Sequence, residues 1–187
     1  MIPERNVAIV LHGPPAVGKT AISGSLRSRV GENRSRHISL DDGWHIGQFR
    51  YQGGVNRYSD LASAVEPVLI IELGCGEPPD LAFPGATRGA DEWIDALRKA
   101  GREIFCFLLS ADSQDVEKRL EDRCRGNEHA LFLFWQYFGL LALYDRQHAL
   151  VTIPGISGIS ESRIETSGRT VLEVAESIIS ACMVNPS

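Results

Sequence analysis

Gly13, Gly18, Lys19 and Thr20 carry the clearest chemistry in the chain. The stretch Gly13-Pro14-Pro15-Ala16-Val17-Gly18-Lys19-Thr20 follows the apolar run Val7 to Leu11 and leads into a segment with helical spacing. Glycines at this separation, then a lysine and a hydroxyl residue, make a loop that cradles phosphate when a strand precedes it and a helix follows. The glycines permit backbone angles and close approaches that a side chain would block. Successive N–H groups of Pro15-Ala16-Val17-Gly18 and its neighbours, apart from the prolines, then turn inward, and the helix adds its positive end. Lys19 is positioned for the β- and γ-phosphates, and Thr20 offers a hydroxyl to Mg²⁺. A bound nucleoside triphosphate is the expectation.

A triphosphate needs an acceptor, and the carboxylates at the strand ends are where one would be activated. Asp41 and Asp42 end the second predicted strand, and Glu72 nearly ends the third. In a parallel sheet all three share a rim with Lys19, which is where open α/β sheets bind ligands. Phosphoryl transfer to a hydroxyl requires a carboxylate to take its proton. Asp41 is the first candidate for that base and Asp42 the second; a solvated turn or helix cap is the plainer reading of both. Glu72, in an otherwise apolar strand, needs a partner. It reads as a ligand to a Mg²⁺-bound water or as an orienter of the acceptor.

Between these carboxylates runs Gly43 to Tyr58, without clear period and rich in aromatics, glycines and arginines. Arg50 and Arg57 could hold an acidic group, and Trp44, Phe49 and Tyr51 could stack on a ring. A surface loop packed on the core is the alternative. His45 reads as a surface or packing residue.

The elements that must position these groups alternate strand and helix. Strands are expected at Val7 to Leu11, Arg36 to Leu40, Val68 to Leu73, Glu103 to Leu109 and Arg163 to Thr166. The first helix carries Ala21, Ile22, Leu26 and Val30 and stops at Gly31. Another short helix is expected around Ser59 to Val65. One from about Ala90 to Ala100 has Trp93, Leu97 and Ala100 on one face. The next opens at Asp112 or Ser113 with Val116, Leu120 and Cys124 as its stripe. In the last, Thr170 and Glu173 form a capping box ahead of Val171, Val174, Ile178 and Cys182. Such alternation implies a parallel sheet covered on both faces. The segment Ala130 to His148 is apolar almost all round, so it must be deeply buried or face a partner, and a homodimer contact through 130–148 is one outcome.

Composition narrows the classes. At 187 residues, with 43% hydrophobic and 23% charged, the chain suits one α/β domain over 1–187 with a full core. A net charge of −5 disfavours a broad nucleic-acid footprint. Cys75, Cys106, Cys124 and Cys182 show no metal-like spacing and read as free thiols in a reducing compartment. The longest apolar run, about 15 residues, is short of the roughly 20 a membrane span needs. A cytoplasmic enzyme is the expectation.

These features together resemble the P-loop small-molecule kinases, which include shikimate, gluconate, adenylate and nucleoside kinases, chloramphenicol phosphotransferases and zeta toxins. The resemblance rests on Gly13 to Thr20, Ser39-Leu40-Asp41, Phe107 to Asp112 running into Val116 to Arg123, and Ile164 to Thr170. It implies a three-layer α/β/α fold with five parallel strands in the order 2-3-1-4-5, and ATP and Mg²⁺ as cofactors. It also implies a small lid at about 119–129 whose Arg119 and Arg123 close over the triphosphate, Arg125 being next in line. Gly168 and Arg169 would border the adenine. Ala21, where many relatives have a second hydroxyl, departs from the pattern, and Glu72 to Glu77 matches no acceptor motif of the family.

Three readings follow. The first is an ATP-dependent kinase of a small-molecule hydroxyl, with Asp41 as base. The second is a kinase of a nucleotide or of a nucleic-acid base or end, which the aromatic and arginine-rich loop would suit. The third is a nucleotide-binding switch with little turnover, motivated by the apolar helix.

Overall fold

Short apolar runs form the strands β1 (Val7–His12), β2 (Ser35–Ser39), β3 (Val68–Glu72), β4 (Glu103–Ser110) and β5 (Glu161–Glu165). A computed structural model of the chain describes residues 5–13, 16–39, 61, 63–72, 90–125, 159 and 161–183. The strands form one sheet in the order β2-β3-β1-β4-β5, and each neighbouring pair is parallel. This is the expected order. Every residue of the central strands β1 and β3 is buried, whereas the edge strand β5 has none. That explains why β1 and β3 read as unbroken apolar runs and β5 as polar.

The helices α1 (Lys19–Val30), α2 (Ala90–Lys99), α3 (Ser113–Arg123) and α4 (Val171–Met183) flank the sheet. On one face Ile9, Leu11, Phe107 and Leu109 pack with Ile22 and Leu26 of α1, Val116 and Leu120 of α3, and Ile178 of α4. On the other, Ala8, Val10, Ile71 and Cys106 pack with Leu61 and with Ile94 and Leu97 of α2. Each large side chain so buried contributes about 1.5–3 kcal/mol.

The local stop and start signals act as expected. Gly31 closes α1 with φ 102° and donates its N–H to the Arg27 carbonyl. Asp112 caps α3, accepting from the Asp115 N–H at 2.8 Å. Thr170 and Glu173 complete the capping box at 2.7 and 3.2 Å. Some stripe members differ. Ala21, Ala100 and Val171 are exposed, and the buried positions beside them are Ile22, Ile94 and Ala175. Strand β5 begins at Glu161, inside what reads as a loop, because pairing with Cys106 extends it. Its expected last residue, Thr166, lies past the strand.

Arg102, only 7% exposed, ties the entries of the strands together. It donates to the carbonyls of Ala64 at 2.7 Å and Glu66 at 2.9 Å. Replacing it with methionine keeps the bulk and strands both acceptors, so Arg102→Met should cost about 2–3 kcal/mol in denaturant unfolding. Among the described residues no helix is long and apolar enough to cross a membrane. The far part of the expected lid and the segment 130–148 lie outside the described residues.

Candidate active site

The carboxyl ends of β1 and β3 and the start of α1 converge on one point. Gly13 leaves β1 with φ 142°, and a Cβ there would lie 2.4 Å from the Leu109 carbonyl oxygen. Only glycine allows the loop to turn this close to β4. Ala16 (φ 63°) and Gly18 (φ 98°) are also left-handed, and alternation of this kind aims successive N–H groups at a common centre. Lys19 opens α1, and its ammonium donates to the Gly13 carbonyl at 2.8 Å, arching back over the loop. Gly13, Ala16, Val17, Gly18, Lys19 and Thr20 thus form one turn. Pro14 and Pro15 lie outside the described residues.

Thr20 faces β3. Its hydroxyl donates to Glu72 Oε2 at 3.0 Å, while His37 Nε2 lies 2.5 Å from Glu72 Oε1. Glu72 is 2% exposed. Burial alone would raise its pKa, but His37, together with the hydroxyls of Ser23 and Thr20, outweighs it and holds the carboxyl below its ordinary value. Its need for a partner was legible from an acid in an apolar strand. That the partner is His37 was not, because the pairing depends on the register of β2 against β3. Ser23, fully buried one turn beyond Lys19, was missed likewise.

A carboxyl whose folded pKa is depressed stabilises the fold above its unfolded pKa and loses that contribution as pH falls through the folded value. Glu72→Gln should therefore unfold about 2–3 kcal/mol more readily at neutral pH. The gap to wild type should close below the ordinary carboxylate value of 4.5. Urea titrations at stepped pH measure it.

Thr20 and Glu72 offer a hydroxyl and a carboxylate, the hard oxygen donors that Mg²⁺ takes. They fit the ion expected beside a triphosphate.

Arg119 of α3 braces the loop from outside. It donates to the carbonyls of Ala16 at 3.3 Å and Thr166 at 3.2 Å and to the Thr166 hydroxyl at 3.1 Å. That hydroxyl donates in turn to the Val17 carbonyl at 3.2 Å. Thr166, 3% exposed, joins the end of β5 to the Gly13 to Thr20 loop, a role its sequence position does not announce. Arg123 ends α3 on the exposed side. Gly168 turns the chain with φ 66°. Arg169 folds along α4 onto the Glu173 carbonyl at 3.0 Å and the Ser177 hydroxyl at 2.5 Å. Asp41, Asp42, Trp44, Arg50 and Arg57 lie outside the described residues.

Solved structures share the fold of this chain. A gluconokinase from Sinorhizobium meliloti 1021 superposes with a TM-score of 0.55 at 12% identity, over 95% of this chain and 91% of its own. The chain shares this kinase's fold. The tunicamycin resistance protein of Deinococcus radiodurans follows at 0.52 and 17% identity, over 97% of this chain and 99% of its own. The YorR protein of Bacillus subtilis, in complex with phosphorylated GDP, gives 0.55 and 19%, over 94% and 95%. No protein-family model matches the sequence, and no curated protein is significantly similar to it.

Proposed function

We propose that this protein is an ATP-dependent kinase that transfers the γ-phosphate to a hydroxyl of a small molecule. The observation that carries it is the Lys19 ammonium over the Gly13 to Thr20 turn, with Thr20 and Glu72 joined at 3.0 Å beneath. Such a turn holds the β- and γ-phosphates, Lys19 neutralises charge on the transferring group, and Thr20 with Glu72 holds Mg²⁺ directly or through water. When bound, Mg²⁺ offsets charge on the phosphate oxygens. Arg123, with Arg119 behind it, supplies guanidinium charge as the segment 119–129 closes.

Asp41 is the proposed base, taking the acceptor's proton as its oxygen attacks phosphorus, with Asp42 as the alternative. Supporting this, β2 ends at Ser39 in register with Glu72, and Asp41 follows two residues later. Trp44, Arg50 and Arg57 would then bind the acceptor. A nucleotide acceptor is the second reading, favoured by the likeness to a structure that holds phosphorylated GDP.

The test is a screen of polyol, sugar, aromatic alcohol and nucleotide pools with γ-labelled ATP, read by mass shift. A true kinase releases ADP much faster with one pool than without any. If no pool stimulates ADP release, the switch reading gains and the kinase reading fails. With the acceptor known, Asp41→Asn should keep ATP binding and lower kcat about 10²–10⁴-fold. Full activity in Asp41→Asn with loss in Asp42→Asn would transfer the role to Asp42.

A further inference from the structure

On the sheet face away from α1, three side chains with metal-binding atoms meet behind the phosphate loop. His12 ends β1 and Cys106 lies on β4, exposed by 1% and 3%. Glu161 opens β5 in register with Cys106. His12 Nε2 lies 2.7 Å from Glu161 Oε2, and the ligating atoms of all three fall within 4.8 Å of one another. Among the described residues this is the one such group of His, Cys and acidic side chains.

We infer that His12, Cys106 and Glu161 bind a single Zn²⁺ ion, at a site separate from the Mg²⁺ position beside Thr20. The donor set argues for the metal. Sulfur, imidazole nitrogen and carboxylate oxygen together suit borderline-soft Zn²⁺, whereas Mg²⁺ takes oxygen alone. Spacing agrees. Zinc bonds of about 2.0–2.3 Å in a tetrahedron set ligand atoms roughly 3.3–3.6 Å apart. Opening the His12–Glu161 approach from 2.7 Å by a fraction of an ångström, with Cys106 Sγ within 4.8 Å of both, reaches that spacing through side-chain rotation.

Burial argues for a cation. The Nε2 atom of His12 is shielded from solvent without a well-directed hydrogen bond. A divalent ion gives that nitrogen a partner. Cys106 gives its proton to solvent as the Zn–S bond forms, Glu161 stays ionised, and water or another side chain completes the tetrahedron. Because His12 directly precedes Gly13, the ion braces the end of β1 against β4 and β5 at the root of the phosphate loop.

Cobalt reports the site. Chelator-treated, full-length protein would be titrated with Co²⁺ in excess Mg²⁺, which fills oxygen-only positions. The expected result is one Co²⁺ per chain with tetrahedral d–d bands and a thiolate-to-cobalt charge-transfer band, all displaced by one equivalent of Zn²⁺. Cys106→Ser should abolish the charge-transfer band and Cys75→Ser should leave it. His12→Gln and Glu161→Gln should each weaken Co²⁺ binding by at least about ten-fold. Absence of the band in the native chain overturns the inference, as does its persistence in Cys106→Ser. Should Cys106→Ser fail to fold, Glu161→Gln on the edge strand decides, and unchanged affinity there also overturns it.

Discussion

Lys19→Ala should lower turnover by about 10³-fold while the protein melts within a degree or so of wild type. The asymmetry follows from where the residue sits. Lys19 is half-exposed at the mouth of the loop, and its ammonium donates to the Gly13 carbonyl at 2.8 Å. Exchanging that contact for water costs the fold little. A triphosphate bound as proposed would, in contrast, lose the Lys19 ammonium from its terminal oxygens, where charge moves during transfer. Lys19→Arg should fail almost as badly, because the broader guanidinium cannot fill the space of a compact ammonium over so tight a turn. ADP release with the acceptor from the screen, beside a thermal melt, measures both halves. Activity within ten-fold of wild type would remove this loop from the reaction.

The second large effect is steric. Gly13→Ala places a methyl group 2.4 Å from the Leu109 carbonyl oxygen at a backbone angle of φ 142°. Neither neighbour is a flexible side-chain tip; the oxygen belongs to β4 itself, so a strand must move. Backbone strain and overpacking together should cost about 3–5 kcal/mol, a fall in Tm of roughly 10–15 °C for a chain of this size. Nucleotide affinity should drop with it, because β1 can no longer deliver the loop to its position. Gly24→Ala is the contrast. That glycine lies within α1 with nothing inside 4 Å of its would-be Cβ, so alanine there should stabilise by about 0.5–1 kcal/mol. Calorimetry on the pair distinguishes a loop built on close approach from one that merely tolerates glycine. Equal melting temperatures would sink the argument.

Legibility in the sequence followed the range of the interactions. The Gly13 to Thr20 turn between strand and helix, the Gly31 stop, the Asp112 cap and the Thr170–Glu173 box were all readable, since each is settled by residues a few positions apart. Buried strands were readable because an unbroken apolar run has few other places to go. Amphipathic stripes were readable to within a residue: Leu26, Leu97 and Ile178 are buried as expected, while Ala21, Ala100 and Val171 are not. Small or terminal side chains carry too weak a hydrophobic signal to fix the rotation of a helix to better than that.

What the amino-acid order determined by itself is the glycine turn from Gly13 to Thr20 and the alternation of strand and helix that presents it. The tertiary structure decided the company each group keeps. It set His37 against Glu72, Arg119 against the carbonyls behind the cradle, Arg169 along α4 rather than free, and His12 with Cys106 and Glu161 on the opposite face. The physical reason is that these partners are far apart in the chain, and strand register brings them together. A shift of one residue in any strand would turn every one of its side chains to the other face.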